Sequence, residues 1–480
     1  MYPPQLTGRA TEAKMTDIMD FVGKRVHMVG IGGSSMSGLV DFLTSRGITV
    51  TGSDRDDSHH VEALRARGIR VDVGHRAENV RGADLLVYSA AIHEDNPERQ
   101  EAVRLSIPQM ERSTLLGELM RGAKQAVCIA GTHGKTSTTG MTGQVLIECG
   151  LDPCVHLGGE LDLIHGGTRL GDPRLFVAEA CEYHSSFLEM RPTIAVALNV
   201  AGDHFDYYRD MDDYERAFGD FFDRLPPDGI CLVNGGDARA LRQGIRSGRR
   251  VVTFGTSTLD DYAALNVVYD DYGRPAFDLA EGGRIAAHTS LQISGDFHVL
   301  NALAAYAAGR LCGADAEKAA LALSHFTGVH RRFELTGVVD GVRLYHDYGH
   351  NPEEMRAAVS VACRQKAGRV IAVMQPHTYS RVKSLFDDYL TCTEAADITL
   401  VTDICAAREL DPGDIDSSML VDGMRAHGVN ACLTPSFDDT EKWLRAHWRQ
   451  GDLVLTMGCG DINLLNEQIS AHGDTNEVAN

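Results

Sequence analysis

The stretch AGTHGKTST at residues 130–138 follows an apolar run, QAVCIA, and leads into a segment with helical spacing. A glycine-rich turn between a buried strand and a helix aims backbone N–H groups and the positive helix end at phosphate. Lys135 adds a point charge, and the Thr136 hydroxyl suits Mg²⁺. The pattern departs from G-x-x-x-x-G-K-[ST], because Ile129 stands where the first glycine belongs and Gly131 comes later. An ordinary strand-to-helix turn is the plainer alternative, yet Gly-Lys-Thr directly after an apolar strand is rare by chance.

A phosphate cradle needs partners for its metal, and open α/β sheets gather ligands beyond their strand ends. EACEYHSSF ends a strand at Glu179, with Glu182 one turn later, and ALNVAGDHFDYY ends another near Asp203, His204 and Asp206. Because Mg²⁺ prefers oxygen, His204 is the less expected ligand on chemistry alone. GVHRRFE supplies Arg331 and Arg332, which read either as a solvated linker or as an arginine delivered to a γ-phosphate. YHDYGHNPEE concentrates His346, Asp347, His350 and Glu353, but Gly349 and Pro352 argue against a helix pairing the two histidines on zinc. QPHTYSR adds His377, Tyr379 and Arg381 after another buried strand, and TMGCGDI closes the last strand in a glycine turn.

A second glycine loop, VHMVGIGGSSMSG at residues 26–38, resembles the fingerprint of a nicotinamide-dependent oxidoreductase, with Asp54 about 20 residues on in the place of a ribose-binding acid. The third glycine is missing, since Ser35 stands there and the next glycine is Gly38. That reading would also leave the cradle at Lys135 without a purpose.

The elements that must position these residues follow a βα alternation. A chain of 480 residues with 43% hydrophobic content has room for two to four domains at roughly 100 to 200 residues each. The expected fold is α/β in three domains: a Rossmann-like unit at 22–122, a central P-loop unit at 123–333 and a second Rossmann-like unit at 334–480. Residues 1–21 read as a loosely attached extension, and the polar tail after Ile469 as disordered. The central unit is expected to combine a mostly parallel sheet with a small antiparallel one, because 262–297 breaks into short alternating runs between glycine turns.

The formal charge of −21 argues against nucleic acid as a general partner. The 11 cysteines are scattered without a C-x-x-C pair, which fits reduced, cytoplasmic thiols. With no apolar run of about 18 residues, no stable membrane association is expected.

The order of GIGGSSMSG, GSD, GTHGKTST, EACEYHSSF, GDHFDYY, HRRFE, HDYGHNPEE, QPHTYSR and MGCGD resembles the Mur ligase family across nearly the whole chain. Within it, the glycine loop, the histidine of GTHGKT and the DYGH stretch are most similar to the branch acting on UDP-N-acetylmuramate and L-alanine. The resemblance implies an ATP- and Mg²⁺-dependent ligase of peptidoglycan synthesis that works through an acyl phosphate, as a monomer or homodimer. It implies that Lys135, His204 and Arg332 are catalytic and that Thr136, Glu179 and His204 hold the metal. ATP would meet Gly131, Thr132, His133, Gly134, Lys135, Thr136, Ser137, Asn301, Arg332 and Asp347. The UDP-sugar would meet Gly30, Gly32, Gly33, Ser34, Ser35, Met36, Ser37, Asp54 and Ser89, and the amino acid Tyr348, His350 and Arg381.

Several positions depart from the family's habit. EACEYH replaces the frequent EADESD, Phe297 and His298 replace a His-Asn pair, Thr378 an arginine and Asn351 a histidine. A carboxylated lysine found in later-acting members would fall near Phe218 and is absent. The competing readings are a related ligase using another amino acid or a recycled peptide, an NAD-dependent oxidoreductase, and a nucleotide-sugar binder without turnover.

Overall fold

The computed structural model describes residues 17–473 except 203, 206, 271 and 408. The expectations for residues 1–16, for the tail at 474–480 and for Asp203 and Asp206 therefore lie outside the described residues.

Three sheets carry the chain. The first holds β1 (Arg25–Val29), β2 (Thr49–Asp54), β3 (Arg70–Val73), β4 (Leu85–Tyr88) and β5 (Gln109–Glu111), all parallel, in the order β3-β2-β1-β4-β5. The order reverses between β1 and β4, and the glycine loop after β1 meets Ser89, just after β4, in the crevice so formed.

The second sheet holds β6 (Gln125–Ala130), β7 (Pro153–Leu161), β8 (Gly166–Arg169), β9 (Asp172–Glu179), β10 (Ile194–Ala197), β11 (Ile230–Asn234), β12 (Arg250–Gly255), β13 (Tyr262–Tyr269), β14 (Pro275–Glu281) and β15 (Arg284–Ser290). Its order is β15-β14-β13-β12-β11-β10-β6-β9-β7-β8. The antiparallel hairpins β13–β15 continue this sheet through the parallel pair β12–β13. In β6, Val127, Cys128 and Ile129 are fully buried, which is why the strand reads as an unbroken apolar run.

The third sheet holds β16 (Glu334–Val339), β17 (Val342–Asp347), β18 (Val370–Met374), β19 (Ile398–Val401), β20 (Ala431–Leu433) and β21 (Leu453–Met457), in the order β16-β17-β21-β18-β19-β20. Only β16 and β17 pair antiparallel, so Asp347, Met374 and Met457 end their strands on one edge. His346 sits buried within β17 and the next helix starts at Pro352, so no helical face joins His346 to His350.

Two expectations need correction: the helix Asn463–Ala471 continues two residues past Ile469, where the tail is expected to be disordered, and the N-terminal extension is anchored. Residues 17–21 are not loosely attached: Ile18 and Phe21 are buried in the core shared by the first and second sheets, and Asp17 caps their short helical turn. Two apolar side chains in four residues suffice to anchor the segment, though they are too few to show periodicity. Among the described residues no helix is long and apolar enough to cross a membrane.

Two helices of the first unit dock on the second. The helix Ser34–Ser45 packs on β7 and β8, and the helix Arg112–Leu119 packs on the turn Tyr183–Glu189. At the second contact a Cβ on Gly117 would lie 2.0 Å from the Glu189 carbonyl oxygen. Alanine gains up to ~1 kcal/mol of helix propensity, but overpacking against rigid backbone costs about 1–3 kcal/mol. Gly117→Ala is expected to lower the urea-unfolding free energy, and a stabilised variant would contradict this docking.

Candidate active site

Of the described helices of ten or more residues, only Ser34–Ser45 and Lys135–Glu148 begin without a side-chain cap. Each starts at a glycine, Gly33 or Gly134, and leaves its first N–H groups open to an anion. Gly134 adopts φ +85°, and a Cβ there would lie 2.5 Å from Asn301 Oδ1, so both conformation and space demand glycine. The loop is clamped by the segment after β10. Asn199 Oδ1 accepts from His133 N at 2.8 Å, its carbonyl from Thr132 N at 3.1 Å, and its Nδ2 donates to the His133 carbonyl at 3.0 Å.

Lys135 Nζ donates to the carbonyls of Gly131 and Thr132 and to Glu182 Oε1, at 2.6, 2.9 and 2.9 Å. Burial alone would pull this ammonium down, but Glu182 outweighs it and holds the pKa above its ordinary value. Thr136 Oγ1 donates to Glu179 Oε1 at 3.1 Å, and Glu179 Oε2 accepts from Gly158 N at 2.9 Å. His204 Nε2 lies 3.7 Å from Glu182 Oε1 and its ring 4.7 Å from that of Tyr183. Its φ of 56° is a strained conformation for a residue with a Cβ, worth of order 1 kcal/mol or more. Glu182 is fully buried, and its Oε2 has no hydrogen-bond partner among the described residues. An orphaned carboxylate oxygen beside the Thr136–Glu179 pair is an oxygen-rich setting that fits Mg²⁺.

The third sheet closes the cleft. Arg331 and Phe333 adopt φ 64° and 47°, and between them Arg332 Nη2 reaches Thr136 Oγ1 at 3.3 Å. Both guanidinium groups lie over the Tyr348 ring, at 4.9 and 5.0 Å. Asp347 accepts from the backbone N–H groups of Phe333 and Gly349, and burial raises its pKa. The enclosed space, about 340 Å³, is lined by the loop 132–137, Glu179, Asn301, Phe297, His298, Arg332 and Asp347, with Glu353 and Glu354 from the helix Pro352–Arg364. His298 is held neutral by burial, its pKa pushed down to about 3.

Beyond the cleft, His350 N donates to Glu354 Oε2 at 3.0 Å, its ring is 6.1 Å from that of His377, and Arg381 Nη1 is 3.4 Å from His377 Nδ1. Tyr348, His350 and Arg381 thus form one cluster, joined to the cradle through Glu354 and His133. Tyr379 packs instead against the core of the third sheet.

In the first loop, the Ser53 carbonyl accepts from Gly30 N and Ile31 N, and Asp54 Oδ2 accepts from Gly32 N at 2.8 Å. Asp54 therefore braces the turn. Ser35 Oγ bonds His156 Nε2 at 2.9 Å and accepts from Arg112 at 3.1 Å, while Ser34 Oγ reaches the Gly158 carbonyl at 3.5 Å. Met36 buries its side chain, and Ser37 turns its hydroxyl back to Ser34, so these two offer a ligand backbone only.

Sequence reasoning missed Asn199, Arg112 and Glu354. Each acts across a gap of more than 60 residues, or from an acidic first turn that reads as simple helix-dipole complementarity.

His133 lies 3.5 Å from Glu353 and 3.8 Å from Glu354. Burial lowers its pKa, but the two carboxylates outweigh it and raise the value to about 9. A raised folded-state pKa stabilises in full below the unfolded value near 6.5 and is lost as pH rises through about 9. The unfolding free energy of the wild type over His133→Gln is expected to be largest, a few kcal/mol at most, near pH 6 and to fade above pH 9. An advantage constant across that range would contradict the pairing.

Three family models match the chain in sequence: Mur ligase family, catalytic domain, over 25–124; Mur ligase middle domain over 129–309; and Mur ligase, glutamate ligase domain, over 331–460. The chain is 43% identical to a UDP-N-acetylmuramate–L-alanine ligase of Caldanaerobacter subterraneus over 93% of its own length and 97% of the relative's. It is 41% identical to the protein of that name from Clostridium novyi, over 92% and 96%. Its structure is similar to the crystal structure of UDP-N-acetylmuramate-alanine ligase from Thermotoga maritima, with a TM-score of 0.79, 26% identity, and 93% and 98% of the two chains covered. A murein peptide ligase from Psychrobacter arcticus shares the fold, with a TM-score of 0.73, 23% identity, and 95% and 100% covered. With family models across most of its length and relatives above 40% identity over nearly all of it, this chain belongs to the Mur ligase family.

Proposed function

We propose that this protein joins L-alanine to the carboxylate of UDP-N-acetylmuramate with hydrolysis of ATP to ADP and phosphate. The observation that carries the reading is the linkage of three regions: the uncapped helix at Gly134 with Lys135, the uncapped helix at Gly33, tied to it through Gly158 and Glu179, and the His350–Arg381 cluster, tied to it through Glu354 and His133. Relatives of over 40% identity bear the name of that activity.

The ATP γ-phosphoryl group passes to a carboxylate oxygen of the sugar, giving an acyl phosphate and ADP. The alanine amine then attacks the carbonyl carbon, loses a proton, and expels phosphate that carries one former carboxylate oxygen. Lys135 exchanges Glu182 for the β- and γ-phosphates, keeping its charge paired throughout. Arg332 adds charge at Thr136, where the transferred group passes. Thr136, Glu179 and His204 would hold Mg²⁺, which supplies charge neutralisation between nucleotide and carboxylate. Arg112 and the open N–H groups after Gly33 receive the diphosphate of the sugar, and Arg381 the free carboxylate of the amino acid. A cytoplasmic location follows from the use of ATP and a nucleotide sugar, and the free cysteines agree with it.

Phosphate release with MgATP is expected only when UDP-N-acetylmuramate and L-alanine are both present. Release with neither, or at equal rate with a peptide in place of alanine, would overturn the reading. Lys135→Ala is expected to reduce turnover by about a hundredfold or more. Sugar-nucleotide binding by calorimetry should be nearly unchanged, since the two loops belong to different sheets, and loss of both would contradict that division.

A further inference from the structure

Outside the cleft, one group of side chains has the composition of a transition-metal site. His59 and His60 open the helix His59–Ala66 of the first unit, and Glu160 lies near the end of β7 in the second. One ligand atom from each lies within 4.8 Å of the other two, and His59 Nε2 is 3.8 Å from Glu160 Oε1. We propose that His59, His60 and Glu160 bind a divalent transition-metal ion of the zinc class and thereby tie the first unit to the second.

Two imidazoles and a carboxylate are a common zinc donor set, with water completing the tetrahedron. Mg²⁺, which selects oxygen ligands, competes poorly for it. Metal–ligand bonds of about 2.1 Å at tetrahedral angles place donor atoms about 3.4 Å apart, so donor separations must contract by up to about 1.4 Å. The side chains have that freedom: His59 is 77% and Glu160 47% exposed. The positive end of the helix disfavours a cation, and the Glu160 carboxylate, arriving from another unit, offsets it.

The backbone around Glu160 reaches the cleft. Its carbonyl accepts from His330 N at 3.0 Å, two residues before Arg332. Two residues earlier, Gly158 donates to Glu179 and accepts from Ser34. An ion at Glu160 would therefore stiffen the strand end that links the first glycine loop, the Thr136–Glu179 pair and the Arg332 loop.

The test uses the full chain, stripped with a chelator and titrated with Co²⁺ or Zn²⁺ alone. One equivalent of Co²⁺ is expected, with the comparatively intense visible d–d absorption of a tetrahedral site and no thiolate charge-transfer band, and Zn²⁺ should raise Tm. His60→Ala and Glu160→Gln should each keep the metal-free Tm, lose the Zn²⁺-dependent rise and bind at least about tenfold more weakly. Wild-type affinity in both variants, no binding by the wild type at micromolar metal, or a thiolate band accompanying all bound metal would overturn the proposal.

Discussion

The buried ammonium of Lys135 is the constraint on which the site depends. A cation with little access to water must keep an anion beside it, because an unpaired buried charge costs several kcal/mol. Glu182 fills that role at 2.9 Å, and two loop carbonyls take the remaining donors. The same carboxylate lies near His204 and accepts from Tyr214, whose hydroxyl also bonds Thr132. One ion pair thus sets the shape of the loop, the position of the segment after β10 and the acidic edge of β9. A bound phosphate can replace Glu182 without leaving the lysine unpaired, which frees that carboxylate for a cation.

The rest of the architecture sets two anion-attracting helix starts and one arginine around that point. The glycine loops of the first and second sheets end in uncapped helices, and β7 joins them through Gly158, which touches both Ser34 and Glu179. The third sheet contributes Arg332 on a loop with two left-handed residues, a strain held by Asp347 at the Phe333 N–H and by the Tyr348 ring. Its acidic helix start, Glu353 and Glu354, meets His133 rather than the phosphate positions. The His350–Arg381 cluster therefore connects to the loop 131–136 through an ion pair between sheets.

Local signals made much of this legible in the sequence. Apolar strands followed by glycine turns mark β1 and β6 because both faces of these strands are buried, and Gly349 and Pro352 mark the break that keeps His346 and His350 off one helical face, the helix beginning only at Pro352. What sequence did not disclose depends on which strands lie side by side. Glu182 meets Lys135 only because β9 pairs with β6, and Glu354 meets His133 only because the third sheet closes on the second. Arg112 reaches Ser35 across 77 residues, and Ile18 and Phe21 are anchored by a core assembled from two units. The distance of Asp54 from the glycine loop suggests a ligand-binding acid but does not reveal that its carboxylate also braces that loop at Gly32.

In the proposed reaction the cleft moves a phosphoryl group onto a carboxylate before the amide forms. Its most direct test follows the oxygen atoms: UDP-N-acetylmuramate with heavy oxygen in the carboxylate is turned over with MgATP and L-alanine, and the released phosphate is read by phosphorus NMR or mass spectrometry. One heavy oxygen is expected in each phosphate, transferred from the carboxylate through the acyl phosphate. Phosphate without the label, formed at the same rate as amide, would contradict it.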